Sequence, residues 1–332
     1  MSFALVENSA AAVPLTPVTP TSLPEALGRL SESERRWVAA QGFKAEPGAL
    51  VLIPAADGGL GRALVGHKAE EPIWALGGLS EALPAGSYAL DAKPGSAAAT
   101  RMALGWALGA YAFTRYRPRS RAPAELVWPA EADRGEVERL ATGITLARDL
   151  INTPAEDMGP AELSGAAETL AGKHGARFSV LIGDELLSAN YPMVHAVGRG
   201  SARAPRLVDI VWGDPKAPKL TLVGKGVCFD SGGLDLKPAQ GMRMMKKDMG
   251  GAATLLGLAA AIMDARLPVR LRLLVPAVEN FVSGTSIRPL DVIRTRKGLA
   301  VEIGNTDAEG RLILCDALAE ADSEKPQLIL DA

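Results

Sequence analysis

The sequence predicts an α/β protein of two domains: a small N-terminal α/β domain, then a larger one with a mostly parallel sheet flanked by helices on both faces. Three observations carry this. The chain has 332 residues, enough for two cores when domains run to roughly 100–200 residues. Beyond residue 150, short strand-like apolar runs alternate with longer segments of helical spacing, the pattern of a sheet whose crossovers are helices. Between them, Arg117-Pro118-Arg119-Ser120-Arg121-Ala122-Pro123 and then Pro129 read as an exposed linker whose arginines are solvated.

In chain order, Pro14, Pro17, Pro20 and Pro24 make residues 11–24 extended, with no helix expected. Ala49–Ile53 and Ile73–Leu76 read as short strands and Ala97–Tyr116 as a buried helix. Gly105 and Gly109 in that helix form a small-xxx-small pair, read as a close packing contact. Asp133 caps a helix with apolar positions Val137, Leu140, Ile144, Ala147 and Ile151, ending before Thr153-Pro154. The domains are therefore set at 1–125, a linker and connecting helix at 126–153, and 154–332. In the last, strands are expected at 178–181, 207–211, 220–223, 269–275 and 328–330, and helices at 161–174, 250–265 and 311–321. Ligands of such a sheet gather at the carboxyl ends of its strands.

Composition excludes some classes. With 48% hydrophobic residues, 22% charged and a formal net charge of −2, the chain has no electrostatic reason to favour nucleic acid or an anionic membrane. Its longest uncharged apolar run, Met102–Phe113, has 12 residues and is too short to span a bilayer. Two cysteines, Cys228 and Cys315, cannot form a disulfide framework, and the first residues lack the pattern of a secretory leader. A reducing cytoplasm is expected.

Chemistry concentrates in two stretches. Asn305-Thr306-Asp307-Ala308-Glu309-Gly310-Arg311-Leu312 places two carboxylates two residues apart; a helix would splay them by roughly 200°, whereas a turning backbone converges them. Gly224-Lys225-Gly226-Val227-Cys228-Phe229-Asp230-Ser231-Gly232-Gly233, with Lys237 and Lys247-Asp248-Met249-Gly250-Gly251, adds two more acids and two lysines. Four carboxylates without histidine suit hard or borderline divalent ions, a pair of which about 3.5–4 Å apart needs bridging oxygens. On the residues alone, Lys225 could equally pair with Asp230 in a structural ion pair. Gly224-Lys225-Gly226 lacks the spacing of a phosphate loop. His67, His174 and His195 lie outside both stretches and receive no role.

Those stretches, and Arg148-Asp149-Leu150-Ile151-Asn152-Thr153-Pro154 before them, resemble the leucyl aminopeptidase (cytosol aminopeptidase) family over roughly residues 140–332. The resemblance implies a catalytic second domain with two divalent ions, manganese or zinc. Asp230 and Glu309 would bridge them, Asp248 and Lys225 would complete one, and Asp307 would complete the other. Lys225 can ligate only as the neutral amine, which requires its pKa to be depressed. The ions would acidify a water, polarise the scissile carbonyl and hold the free amino end of a short peptide. Lys237 would bond the developing oxyanion, Arg311 would hold a bicarbonate that relays a proton, and Met245 would line the pocket for the first side chain. Met242, Met244 and Met249 are left to the core, and Gly232-Gly233 and Gly250-Gly251 are expected to let backbone approach the ions. A homohexamer is implied, with preference for leucine-like N-terminal residues.

Other readings stay open. A noncatalytic member acting as a scaffold or DNA-binding assembly protein would need a broad basic surface. Another dinuclear hydrolase, such as a phosphoesterase, could use Lys237 and Arg311 on phosphate. Two departures from the family pattern stand out. Ile287-Arg288-Pro289-Leu290-Asp291 has Leu290 where the family has glycine, so a different local backbone is expected. The family also continues past the strand at Asp331-Ala332 with a Thr-Leu-Thr-Gly-type segment and further helices, so a partial chain, inactive by itself, is expected.

Overall fold

The computed structural model describes residues 3–332 as two compact units, which meet in sequence at Ala141 and Thr142. The first contains β1 (Leu5–Val6), β2 (Val13–Val18), α1 (Leu23–Gly28), α2 (Glu32–Ala40), β3 (Leu50–Pro54), β4 (Leu60–Gly66), α3 (Leu79–Ala82), β5 (Ser87–Leu90), α4 (Ser96–Gly109) and β6 (Glu125–Val127). Its sheet has the order β1-β6-β5-β2-β4-β3, parallel except for the edge strand β3. One core gathers Leu15, Val65, Tyr88, Trp106 and Leu126, and Trp106 donates its indole N–H to Ala4 O at 3.0 Å. A smaller one joins Leu30 and Val38 to Val51, Ile53 and Leu64.

Several expectations for this unit are corrected. Residues 73–76 form no strand; Pro72–Trp74 is a single 3-10 turn. A short apolar run cannot by itself distinguish the two, and here α4 settles it by lying against the turn. A Cβ on Gly105 would sit 1.8 Å from Ile73 O, and one on Gly109 would sit 1.6 Å from Gly77 O, so the glycine pair is the close contact expected of it. The helix stops at Gly109, short of Tyr116. In residues 11–24, β2 accommodates Pro14 and Pro17, but α1 begins at Leu23 with Pro24 in its first turn, where a missing N–H is tolerated. The arginines of residues 117–123 are not all solvated: Arg119 pairs with Glu81 at 2.7 Å, and Arg121 donates to Leu83 O at 3.3 Å.

α5 (Arg134–Asn152) spans the boundary between the units, and Asp133 Oδ1 accepts the Glu136 N–H at 2.9 Å, as its capping role predicts. The second unit continues with α6 (Pro160–His174), β7 (Arg177–Ile182), α7 (Glu185–Ser188), α8 (Pro192–Gly198), β8 (Arg206–Trp212), β9 (Lys219–Val223), β10 (Gly226–Asp230), α9 (Ala239–Met242), α10 (Gly250–Asp264), β11 (Arg270–Asn280), β12 (Val292–Arg294), β13 (Ala300–Glu302), α11 (Glu309–Ser323) and β14 (Leu328–Asp331). Its sheet runs β14-β9-β11-β8-β7, with β10 also beside β11. The β14–β9, β9–β11 and β10–β11 pairs are parallel; β8 pairs antiparallel with β11 and β7.

β11 is buried on both faces, so its apolar run is nearly continuous and its side chains alternate between two cores. Leu271, Leu273, Val275 and Ala277 meet α6 and α10, while Leu274 and Val278 meet α8 and α11. Gly226–Asp230, absent from the expected strands, is a strand. The β9 ladder ends at Val223↔Leu274 and the β10 ladder starts at Gly226↔Ala277, leaving Lys225 in the break. Pro276 of the central strand, which has no N–H to give, falls in the same interruption. β12 and β13 form a separate hairpin that leads into residues 303–309. Among the described residues no helix is long and apolar enough to cross a membrane.

Candidate metal centre at the carboxyl ends of the strands

The sheet's topology delivers the acidic residues to one edge. Asp230 is the last residue of β10, Asn280 the last of β11, and Lys225 lies just past β9. Asp248 sits in the short 3-10 helix Met245–Met249 that precedes α10, and Asp307 and Glu309 occupy the turn and first residue of α11. Oxygens of Asp230, Asp307 and Glu309 lie within 4.8 Å of one another, so the two-residue spacing converges as expected. Asp248 joins through Lys225, whose Nζ is 2.9 Å from both Asp248 Oδ1 and Glu309 Oε1. Lys237 clamps the other two acids, with Nζ 2.7 Å from Asp230 Oδ2 and in short contact with Asp307 Oδ1. The pairing of Lys225 with Asp230 is not what forms.

Electrostatics shows what this cluster lacks. Four carboxylates against two ammonium groups leave it net negative, and Glu309 is only 1% exposed. Burial and the neighbouring Asp230 charge push the Glu309 carboxyl up to about 7, against the opposing pull of Lys225. Asp248 Oδ2 and Glu309 Oε2 are buried and accept no hydrogen bond. Buried acceptors without donors are costly, and a divalent ion satisfies such oxygens while cancelling their charge. The residues therefore fit metal ions. Burial disfavours the Lys225 ammonium, but bonds to Glu309 and Asp248 outweigh it and raise its pKa, and Lys237 is raised in the same way by Asp230 and Asp307. A ligating Lys225 must therefore have this shift reversed by the cation itself.

Glycines set the approach distances. Gly232 (φ +89°) and Gly233 (φ +66°) take left-handed conformations and admit Asp307 and Thr306. Gly251 admits the end of β14, since a Cβ there would lie 2.2 Å from Ala332 O, whereas Gly250 meets only Ile151 at 3.7 Å. A Cβ on Gly251 would also lie 3.2 Å from the Lys225 backbone N. The glycine that matters there is Gly310, whose Cβ would lie 2.5 Å from Lys225 Cε.

The remaining candidates sit differently. Met245 is half-buried at the start of the helix carrying Asp248, and Met249 is core, but Met244 is 54% exposed and not the core residue expected. Arg311 is exposed and lines a cavity of about 760 Å³ with Arg296, Lys297 and Cys315, none of which belongs to the acidic cluster. Leu290 holds a left-handed backbone, at φ 69°. Sequence reading missed Asn280, which donates from Nδ2 to Asp230 Oδ1 at 2.8 Å and to Thr306 O at 3.0 Å. Only strand pairing reveals it, because 50 residues separate it from Asp230.

Known proteins share this fold. Residues 145–332 match the model of the cytosol aminopeptidase family, catalytic domain, and residues 13–129 match the M17 aminopeptidase N-terminal domain. A probable cytosol aminopeptidase of Leifsonia xyli is 40% identical over 316 residues, 89% of this chain and 63% of its own length. Another, from Syntrophotalea carbinolica, is 44% identical over 60% of this chain and 43% of its own. The crystal structure of a cytosol aminopeptidase from Coxiella burnetii superposes with a TM-score of 0.92 at 47% identity, covering 99% of this chain and 72% of that one. The bottromycin maturation enzyme BotP in complex with Mn gives a TM-score of 0.83 at 34% identity, covering 96% and 71%. The chain thus spans less than two thirds of the length of these curated relatives.

Proposed function

We propose that this chain, which belongs to the cytosol aminopeptidase family, forms the metal-binding part of a two-metal aminopeptidase that releases N-terminal residues, leucine-like ones preferred, from short peptides. The observation that carries the reading is the cluster of Asp230, Asp248, Asp307 and Glu309, net negative and holding buried oxygens without donors. Asp230, Asp248, Asp307, Glu309 and the neutral amine of Lys225 would hold the two ions. Manganese or zinc, when bound, supplies Lewis acidity toward water and the scissile carbonyl and a place for the free amino group.

The chain's own residues do the rest. Lys237, bonded to Asp230 and Asp307, keeps its proton and would donate to the oxyanion, a contact worth about 3 kcal/mol. Arg311 is assigned the binding of bicarbonate on its fixed charge and its place two residues beyond Glu309; a guanidinium cannot itself be the base. Met245 is assigned to the pocket for the first side chain. A homohexamer in the cytoplasm completes the reading, supported by the family and by two cysteines that remain free thiols; sedimentation showing only monomer counts against the hexamer. The scaffold reading is not favoured, because the named relatives are aminopeptidases.

The test is hydrolysis of amino-acid p-nitroanilides with manganese or zinc, before and after chelation. Activity on the leucine substrate should vanish with chelator and return with metal. Hydrolysis of phosphate esters alone would move the protein to another class of dinuclear hydrolase.

A further inference from the structure

We infer that Asp235 is a positioning residue for the metal centre: with Thr306 it clasps the turn carrying Lys237 to the loop carrying Asp307 and Glu309. The two segments lie 71 residues apart in sequence and are joined reciprocally. Asp235 Oδ2 accepts the Thr306 backbone N–H at 2.7 Å, and the Asp235 backbone N–H donates to Thr306 Oγ1 at 2.8 Å. The threonine hydroxyl gives its own proton to Gly232 O at 2.6 Å. Gly232 and Gly233 make room for this: a Cβ on Gly233 would lie 3.0 Å from Thr306 Oγ1, and one on Gly232 would lie 3.1 Å from Asp307 Oδ1.

Asp235 is exposed and stands outside the trio of carboxylates that could share an ion, so it acts on the metal only through the backbone it holds. That backbone needs holding. Four carboxylates held by only two ammonium groups retain a net repulsion, and the clasp resists their separation before metal arrives. Its requirement is an acceptor oxygen facing the Thr306 N–H; negative charge at Asp235 is not required. Asparagine should therefore substitute and alanine should not.

The inference rests on the metal reading above, and two measurements test it on the whole chain. Calorimetric titration with Mn²⁺ should show Asp235→Ala binding about 10–100-fold more weakly than wild type, as for other groups that orient ligands, and Asp235→Asn within about threefold. Amide hydrogen exchange of the metal-free proteins should show residues 303–309 exchanging at least about tenfold faster in Asp235→Ala alone. Wild-type manganese affinity in Asp235→Ala overturns the inference, and so does a loss in Asp235→Asn as large as in alanine. A wild-type protein that binds manganese but cleaves no peptide removes the proposed function and leaves the clasp standing. One that takes up no manganese overturns both.

Discussion

At Gly310 the absent Cβ does local work: it clears the path by which Lys225 reaches Asp248 and Glu309. The atoms a methyl group would strike are the tip of a flexible side chain, so Gly310→Ala should change unfolding free energy by less than about 1 kcal/mol. It should nonetheless weaken manganese binding about tenfold by displacing the amine; calorimetry with and without metal separates the two effects. Leu290 presents the opposite case. It is 70% exposed and holds a left-handed backbone that costs an L-residue about 1 kcal/mol or more, with no core contact to recover it. Leu290→Gly should stabilise the protein by about 0.5 kcal/mol after the added chain entropy of glycine, read as a small rise in melting temperature. The spacing of Asp307 and Glu309 announced a site, whereas the role of Asn280 is carried by a pairing that no local pattern encodes.

Among elements, α4 shows how one helix fixes a neighbour that sequence misreads. Its two glycines let the carbonyls of Ile73 and Gly77 touch the helix backbone, and that contact selects a 3-10 turn over the strand the apolar run suggested. Gly105→Ala should cost about 1–3 kcal/mol, because the obstacle at 1.8 Å is a backbone oxygen that cannot rotate away. Thermal unfolding measures it, and an unchanged transition would remove the packing role. In the second unit, the expected strands and helices were legible because β11 and its partners are rich in apolar residues and α6, α10 and α11 have helical spacing. β10 was not, since glycine, lysine and aspartate around it read as a loop until β11 supplies the ladder.

For the molecule as a whole, metal and folding are linked. Ions that bind the folded cluster and not the unfolded chain should raise stability by about 2.7 kcal/mol for each site at a free concentration 100 times its dissociation constant. Manganese should therefore raise the melting temperature, and chelator should return it to the metal-free value. A melting temperature indifferent to manganese would mean that the carboxylates hold no ion in the folded state.

The sequence by itself determined which acids and lysines cluster, the α/β class and the family. These are properties of residue type and short spacing, and they survive without coordinates. Tertiary structure alone decided which lysine clamps which carboxylates, that Glu309 is buried with an oxygen lacking a donor, and that Asn280 and Asp235 tie the acidic segments together. The physical reason is that charge pairing and desolvation depend on distances between segments far apart in the chain, and those distances exist only once the strands have paired.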